Sequence, residues 1–335
     1  MNRSAEEHVL MLSIVIPVWN DPAGLARLLS SLLLLPHLAR IIVVDDCSDT
    51  PVSPLTLNLP HLEGEDRVVW LRSDTQNGAG YARNFGLAHV TTSHVMYLDS
   101  DDTILSDLAP LITELLATPA GAFDFCLFRH VESRQRSKGQ PGPLPLDQFH
   151  WNIAGIGGGL RGLTMAQVTR LCRVSAYPWN KIYRTAFLRD NAILCTEISV
   201  HNDVELHWRS FFHARRIYAS DRLCIEHFVH ETGNRLTNRR GSNRLRVFEA
   251  LEALRQDCEK EGDLMITFGD ALIEFYLNLF RWIEKRLDDD ERPVLWNRAT
   301  DFLLASVNRP AFQLLASRDP VLAGRLNDFL ERGVL

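Results

Sequence analysis

The sequence predicts an α/β fold, a mostly parallel sheet flanked by helices, with a helical extension at the C-terminus. Three observations lead there. Short apolar runs recur through the first third, at Leu12–Pro17, Ile41–Val44, Val68–Leu71 and Val95–Leu98, each the length of a buried strand. A full amphipathic helix separates the first two, and a strand–helix–strand unit of that kind pairs its strands in parallel. From about Ser242 onward the apolar spacing is helical, over 243–260, 264–286, 293–306 and 320–331.

Taken in order, Leu12–Pro17 reads as a first buried strand that Pro17 stops. Asn20 or Asp21 then caps a helix with Pro22 in its first turn and Leu25, Leu28, Leu29, Leu32 and Leu33 on one face. Ile41–Val44 ends in Asp45-Asp46-Cys47-Ser48-Asp49. A Pro-rich loop covers 51–66, and Val68–Leu71 is the third strand. Asn77-Gly78-Ala79-Gly80 opens a helix that runs to about His89; small residues there expose N–H groups that attract phosphate, and Arg83 lies one turn in. Val95–Leu98 is the fourth strand, 106–117 a helix and Phe123–Phe128 a fifth strand. The Gly-, Pro- and Arg-rich stretch 133–162 lacks a period and reads as a loop or flap. Tyr177–Lys181 sets aromatics beside a cation. Asn202 caps a helix with Asp203 in its first turn, and short strands follow near 216–219 and 223–229.

Composition narrows the class. With 335 residues, 46% hydrophobic and 23% charged, the chain can bury a large core plus a smaller appended one. A formal charge of -6 argues against a nucleic-acid partner. The six cysteines lie far apart with no Cys-x-x-Cys pair, which excludes the usual zinc spacings and fits reduced thiols in the cytoplasm. Residues 1–10 lack a signal-peptide core, and no apolar run reaches the ~18 residues of a membrane span.

The chemistry concentrates at strand ends. Val95-Met96-Tyr97-Leu98 runs into Asp99-Ser100-Asp101-Asp102-Thr103. Asp99 and Asp101, two apart, leave one face of a regular strand, and two such carboxylates repel unless a cation sits between them. The tripeptide alone reads equally as an acidic loop, or as a helix cap by Asp102 or Thr103. In a parallel sheet, however, Asp45/Asp46, the glycine turn with Arg83, and Asp99-x-Asp101 share one edge. Together they offer what a nucleoside diphosphate requires: carboxylates, N–H donors, a guanidinium and a divalent ion.

Leu12–Asn20, Ile42–Asp49, Asn77–Gly86 and Tyr97–Asp102, in that order, resemble the family 2 inverting glycosyltransferases of the GT-A fold. The similarity covers about 12–105 and returns at Pro178–Tyr183 and Asn202–Asp203. It implies transfer of a sugar from a nucleotide-diphosphate donor, usually a UDP-sugar, to a hydroxyl with inversion, in surface polysaccharide or glycolipid synthesis. By position, Pro17, Trp19 and Asn20 line the nucleotide pocket, and Asp45 or Asp46 meets the nucleobase. Asn77, Gly78 and Arg83 meet the donor, and Asp99 faces its ribose or sugar. Asp101 ligates Mn²⁺ or Mg²⁺, joined by Asp99 and by His230. Asp203 is the general base, although Asn202 stands where the family has the Glu of a Glu-Asp pair. Trp179 and Lys181 fall on the acceptor side; core burial explains Trp179 equally well.

The expected organisation is a GT-A domain over 1–240, with a nucleotide-sugar half at about 10–130 and an acceptor half at about 163–240, then a helical region over 241–335. The implied partners are a nucleotide-sugar donor and a saccharide or lipid-linked acceptor, in the cytoplasm or at the inner face of its membrane. Peripheral membrane contact and a homodimer stay open. Two rivals remain. A haloacid-dehalogenase-like phosphatase would use Asp99 as nucleophile and Asp101 as acid, but its motif closes the first strand, whereas here it comes after the third. A non-catalytic binder on the same fold would need neither carboxylate nor base intact. A histidine–metal site from His201, Asp203, His207, His227 and His230 is outweighed by ordinary solvated histidines.

Overall fold

The computed structural model describes residues 11–119, 121–228 and 241–333. Strands β1 (Leu12–Val18), β2 (Leu38–Asp45), β3 (Val68–Arg72) and β4 (His94–Tyr97) pair in parallel in the order β3-β2-β1-β4. The crossovers are α1 (Pro22–Leu32) between β1 and β2, and α2 (Ala79–Ala88) between β3 and β4. The strand order turns back on itself between β1 and β4, and ligands of open α/β sheets bind at such a switch point.

Both faces of this half-sheet are buried, which is why its strands are continuous apolar runs. Ile14, Ile16, Ile41, Val43, Met96 and Leu98 belong to one core, with Leu25, Leu28, Leu29 and Leu32 of α1. Val15, Ile42, Val44, Val95 and Tyr97 belong to the other, with Ala82 and Leu87 of α2. Asp21 rather than Asn20 caps α1, accepting the Gly24 N–H at 3.2 Å, with Pro22 at its start. Gly86 lets α2 sit against β1: an added Cβ would lie 2.4 Å from Val15 Cγ1.

The chain continues through β5 (Thr103–Ile104), α3 (Leu108–Leu116), β6 (Phe125–Glu132), α4 (Ser133–Arg136), α5 (Pro145–Ala154), β7 (Arg161–Gly162), α6 (Met165–Leu171), β8 (Lys181–Arg184), α7 (Thr185–Asp190), α8 (Val204–His213) and β9 (Ile217–His227). Beyond β4 the sheet runs β8-β6-β9-β5, with β8 antiparallel to β4 and β6, β6 parallel to β9, and β7 on β9. Helices α9 (Val247–Lys260), α10 (Asp263–Glu284), α11 (Arg292–Ser306), α12 (Arg309–Arg318) and α13 (Pro320–Gly333) complete it. Their apolar faces extend the core that holds Val15 and Tyr97, through Leu272, Tyr276, Phe280 and Phe329.

Four expectations need correction. Pro17 does not stop β1; it pairs with Val44 and the strand runs to Val18. The stretch 133–162 is not an irregular flap, because α5 buries Asp147, His150, Trp151 and Ala154 against the body. The two short strands near 216–229 are one strand, broken in the pattern by a register irregularity opposite Phe128–His130. The expected set of four C-terminal helices omits one, between 293–306 and 320–331: Asn308 caps α12, accepting the Ala311 N–H at 3.0 Å. Among the described residues no helix is long and apolar enough to cross a membrane, and all six cysteines are free.

Asp124, buried just before β6, ties three elements together. It accepts Arg184 Nη2 at 2.7 Å and the N–H groups of Arg215 and Arg216 at 2.8 and 3.0 Å. Burial alone would raise its pKa, but these donors outweigh burial and hold it below the usual carboxylate range. A lowered folded-state pKa contributes stability above the unfolded value, and that stability is lost as pH falls through the folded one. Asp124→Ala is therefore expected to lower unfolding free energy by about 2–3 kcal/mol at neutral pH. Denaturant titrations of both proteins should show the gap narrowing in acid.

Candidate active site

The parallel strands deliver their C-terminal ends to one edge, and a network of loops is laced together there. Asn20, left-handed at φ 51°, donates its N–H to Ser48 Oγ at 2.9 Å, and its amide exchanges hydrogen bonds with Asp49. Asp45 is consumed by structure: it accepts the N–H groups of Ser48 and Val52 and pairs with Arg72. Asp46 reaches the next loop, accepting the N–H groups of Asn77 and Gly78 at 2.9 and 2.7 Å. These two donors, read from sequence as open to phosphate, are held by Asp46. Trp19 is half-buried and Pro17 is buried within β1.

Arg83, one turn into α2, is 4% exposed and forks between two elements. Its Nη2 meets Asp99 Oδ1 at 2.6 Å and its Nη1 meets Asn202 Oδ1 at 2.7 Å. Burial would lower the guanidinium pKa, yet Asp99, Cys195 and Asp203 overcome burial and raise it. Arg83 thus stays charged and joins the end of β4 to the residue before Asp203. Gly80 makes the approach of α2 to that loop possible, since a Cβ there would lie 2.4 Å from the Thr196 carbonyl oxygen and 2.9 Å from Asn202 Cβ.

Asp203 occupies the N-cap position of α8, one residue earlier than the sequence reading has it, and its side chain does not cap the helix. His201, left-handed at φ 65°, turns the chain into that position. Burial pushes the Asp203 carboxyl up to about 6, against the pull of Arg83 and Lys181. Lys181 is wholly buried beneath this loop, donating to Tyr177 O and Asn180 Oδ1, both at 2.7 Å. Burial pushes it down to about 7 although Asp203 and Asp147 favour its charge.

After β4 the chain folds tightly, and Asp102 Oδ2 accepts the Asp99 N–H at 2.9 Å. Asp102 Oδ1 meets His227 Nδ1 at 2.8 Å, delivered by the end of β9. Among the described residues, Asp99, Asp102 and His227 form the group whose ligand atoms all lie within 4.8 Å of one another. Asp101, also buried, is not one of the three. His230 lies outside the described residues. Two carboxylates with an imidazole suit a hard or borderline divalent cation. Burial opposes charge on His227, but the bond to Asp102 pushes it up to about 9.

Trp179 is 1% exposed within a ring cluster. Tyr177 lies at 4.4 Å and His227 at 4.5 Å from it and 5.5 Å from each other, with His130 edge-on at 4.7 Å. This stack fixes the imidazole that Asp102 holds. Sequence reasoning missed Asp102 and His227 as a pair because it looked for Asp-x-Asp spacing; the signal was a three-residue return from Asp102 to Asp99.

Known proteins can now be set beside this geometry. Residues 13–164 match the family described as Glycosyl transferase family 2. The matched stretch begins in β1 and runs past the carboxylate-rich turn to the start of α6. The pre-mycofactocin glycosyltransferase of Mycobacterium tuberculosis is 42% identical over 92 residues, 28% of this chain and 18% of that protein. The succinoglycan biosynthesis protein ExoO of Rhizobium meliloti is 31% identical over 108 residues, 32% of this chain and 30% of that protein. The matched stretches therefore span less than a third of these curated relatives. Among solved structures, S. aureus TarS 1-349 in complex with UDP-GlcNAc superposes with a TM-score of 0.71 at 21% identity, covering 97% of this chain and 89% of that one. That likeness establishes the GT-A type fold expected from the sequence, including the helical C-terminal region.

Gly80→Ala is expected to drive the 196–202 loop away from α2 and separate Arg83 from Asn202. Melting temperature should fall, and Arg83→Met should lower stability by about 1–3 kcal/mol by leaving the part-buried Asp99 carboxylate and the buried Asn202 amide without their donor. Differential scanning calorimetry of both variants checks this.

Proposed function

We propose that the protein is an inverting glycosyltransferase that moves a sugar from a nucleotide-diphosphate donor, UDP-sugar by preference, to a hydroxyl acceptor. The observation that carries this reading is the bridge Asp99–Arg83–Asn202, which sets a carboxylate group suited to a cation beside the carboxylate of Asp203. The family 2 match and the TarS fold support it. The donor would lie along the strand-end edge between Trp19–Asn20, Asp45–Asp46 and Asp99. Asp99, Asp102 and His227 would hold Mn²⁺ or Mg²⁺, which when bound neutralises charge developing on the departing diphosphate. Asp101 and His230 remain further candidates for that role, from the family pattern.

Asp203 accepts the proton of the acceptor hydroxyl as that oxygen attacks the anomeric carbon from the face opposite the diphosphate. Its pKa of about 6 leaves it ionised near neutrality yet basic enough to take the proton. Lys181 and Asn180 brace the segment under it. Trp179, 1% exposed and stacked with His227, acts behind the acceptor, holding that imidazole, rather than as an open platform for a sugar.

A thermal-shift screen of nucleotides and nucleotide sugars, with and without Mn²⁺, tests the donor site, because ligand binding raises apparent stability by mass action. Stabilisation by UDP that requires Mn²⁺ is expected; no response to any nucleotide would overturn the reading. Phosphate release from simple phosphomonoesters without nucleotide-sugar consumption would favour the phosphatase alternative. Asp203→Asn is expected to slow turnover by ~10²–10⁴-fold while leaving the UDP-induced shift intact. Initial rates of the wild type should fall roughly tenfold per pH unit below the Asp203 value of about 6, since protonation removes the base.

A further inference from the structure

Helix α5 presents a face that its own fold leaves unpartnered. Asp147, His150, Trp151 and Ala154 point inward, whereas Leu146 and Phe149 are 52% exposed and Ile153 is 50% exposed. Positions i, i+3 and i+7 fall on one side of a helix, so the three form a stripe. Met165, 60% exposed, opens α6 alongside, where Gln167 Nε2 donates to Ala154 O at 3.0 Å. Isolated exposed apolar residues are ordinary, but a stripe on one helix face marks a contact surface.

Charge identifies the partner. Between Ser133 and Arg173 the chain carries Arg134, Arg136, Lys138, Arg161, Arg170 and Arg173 against a single acid, Asp147, although the whole protein is acidic at -6; Arg173 is paired with Glu274 of α10 and does not count toward the surface. Asp147 is buried and accepts Ser175 N at 2.9 Å, so it offers no negative charge to the surface. Lys138 and Arg161 are exposed, and Arg134 and Arg136 keep 42% and 48% of their side chains in solvent while paired to Glu132 and Glu226. A second copy seated on this face would set like charges against each other across a two-fold axis.

We propose that α5 is an interfacial helix that docks the protein on an anionic lipid surface, its apolar stripe entering the headgroup boundary and the flanking Arg and Lys meeting lipid phosphates. At ten residues it is roughly 15 Å long, enough to lie in the interface and too short to span it. The docking face belongs to the segment between β6 and β8, next to the acceptor side, and not to the C-terminal helices.

Co-sedimentation with vesicles tests this and requires no turnover, so its outcome is independent of the proposed reaction. The full chain should pellet with vesicles of phosphatidylcholine and phosphatidylglycerol, less with phosphatidylcholine alone, and less in high salt. Leu146→Ser, Phe149→Ser and Ile153→Ser combined should reduce the bound fraction at least about tenfold. Melting temperature should hold, because these side chains are already in water. Lys138→Glu with Arg161→Glu should weaken binding to the anionic vesicles alone. A wild-type protein that stays in solution with anionic vesicles would overturn the proposal, as would a triple variant that pellets equally well. Loss of a concentration-dependent dimer in the triple variant, without vesicle binding by the wild type, would assign the face to self-association instead.

Discussion

A buried guanidinium holds the site together. Arg83 stands where the parallel half of the sheet meets the loop that leads into α8, and it reaches both at once. Removing a charge of this size from water is unfavourable unless its partners are close and well aligned. Asp99 and Asn202 meet that condition at 2.6 and 2.7 Å. The requirement works in both directions: satisfying Arg83 forces the end of β4 and residue 202 to fixed positions, and Asp203 follows from the chain. That Asn202 is a neutral amide leaves Asp99, among the described residues, as the carboxylate bonded directly to this fork, with Asp203 contributing through the field.

Electrostatic balance explains much of the remaining geometry. Asp46 closes the glycine turn before α2, Asp102 closes the turn after β4, and Lys181 closes the segment before β8. Each is a charged side chain spent on backbone or neighbouring polar atoms within a loop of the candidate site. Loops at a sheet edge have few backbone partners of their own, and buried side-chain charges replace what a ladder would supply. The result is an edge whose shape is set before any ligand arrives, as preorganised sites require.

The half of the fold up to β4 was legible because both of its faces are buried and its periods are unmixed. Strand ends bearing Asp45, Asp46 and Asp99 could be placed on one edge from parallel pairing alone. Legibility failed where tertiary contact overrides local pattern. α5 sits in a Gly- and Pro-rich stretch, and its inward Asp147 and His150 obscure the amphipathic period. β9 looked like two pieces because its irregularity makes sense only against β6. The site suffered in the same way. Spacing located the carboxylates, yet which of them gather depends on a turn that returns Asp102 to Asp99, and on a β9 residue more than a hundred positions away.

Trp282 on α10 has a bearing on how such a chain could diverge. Arg286 lies over its ring at 3.7 Å and Arg244 at 4.7 Å, while His201 meets its edge at 5.1 Å. The left-handed turn before Asp203 is therefore seated on an indole supplied by the terminal helices. Replacing that tail would take away the seat of residue 201 as well, so the terminal helices and the turn before Asp203 stand or fall on one contact.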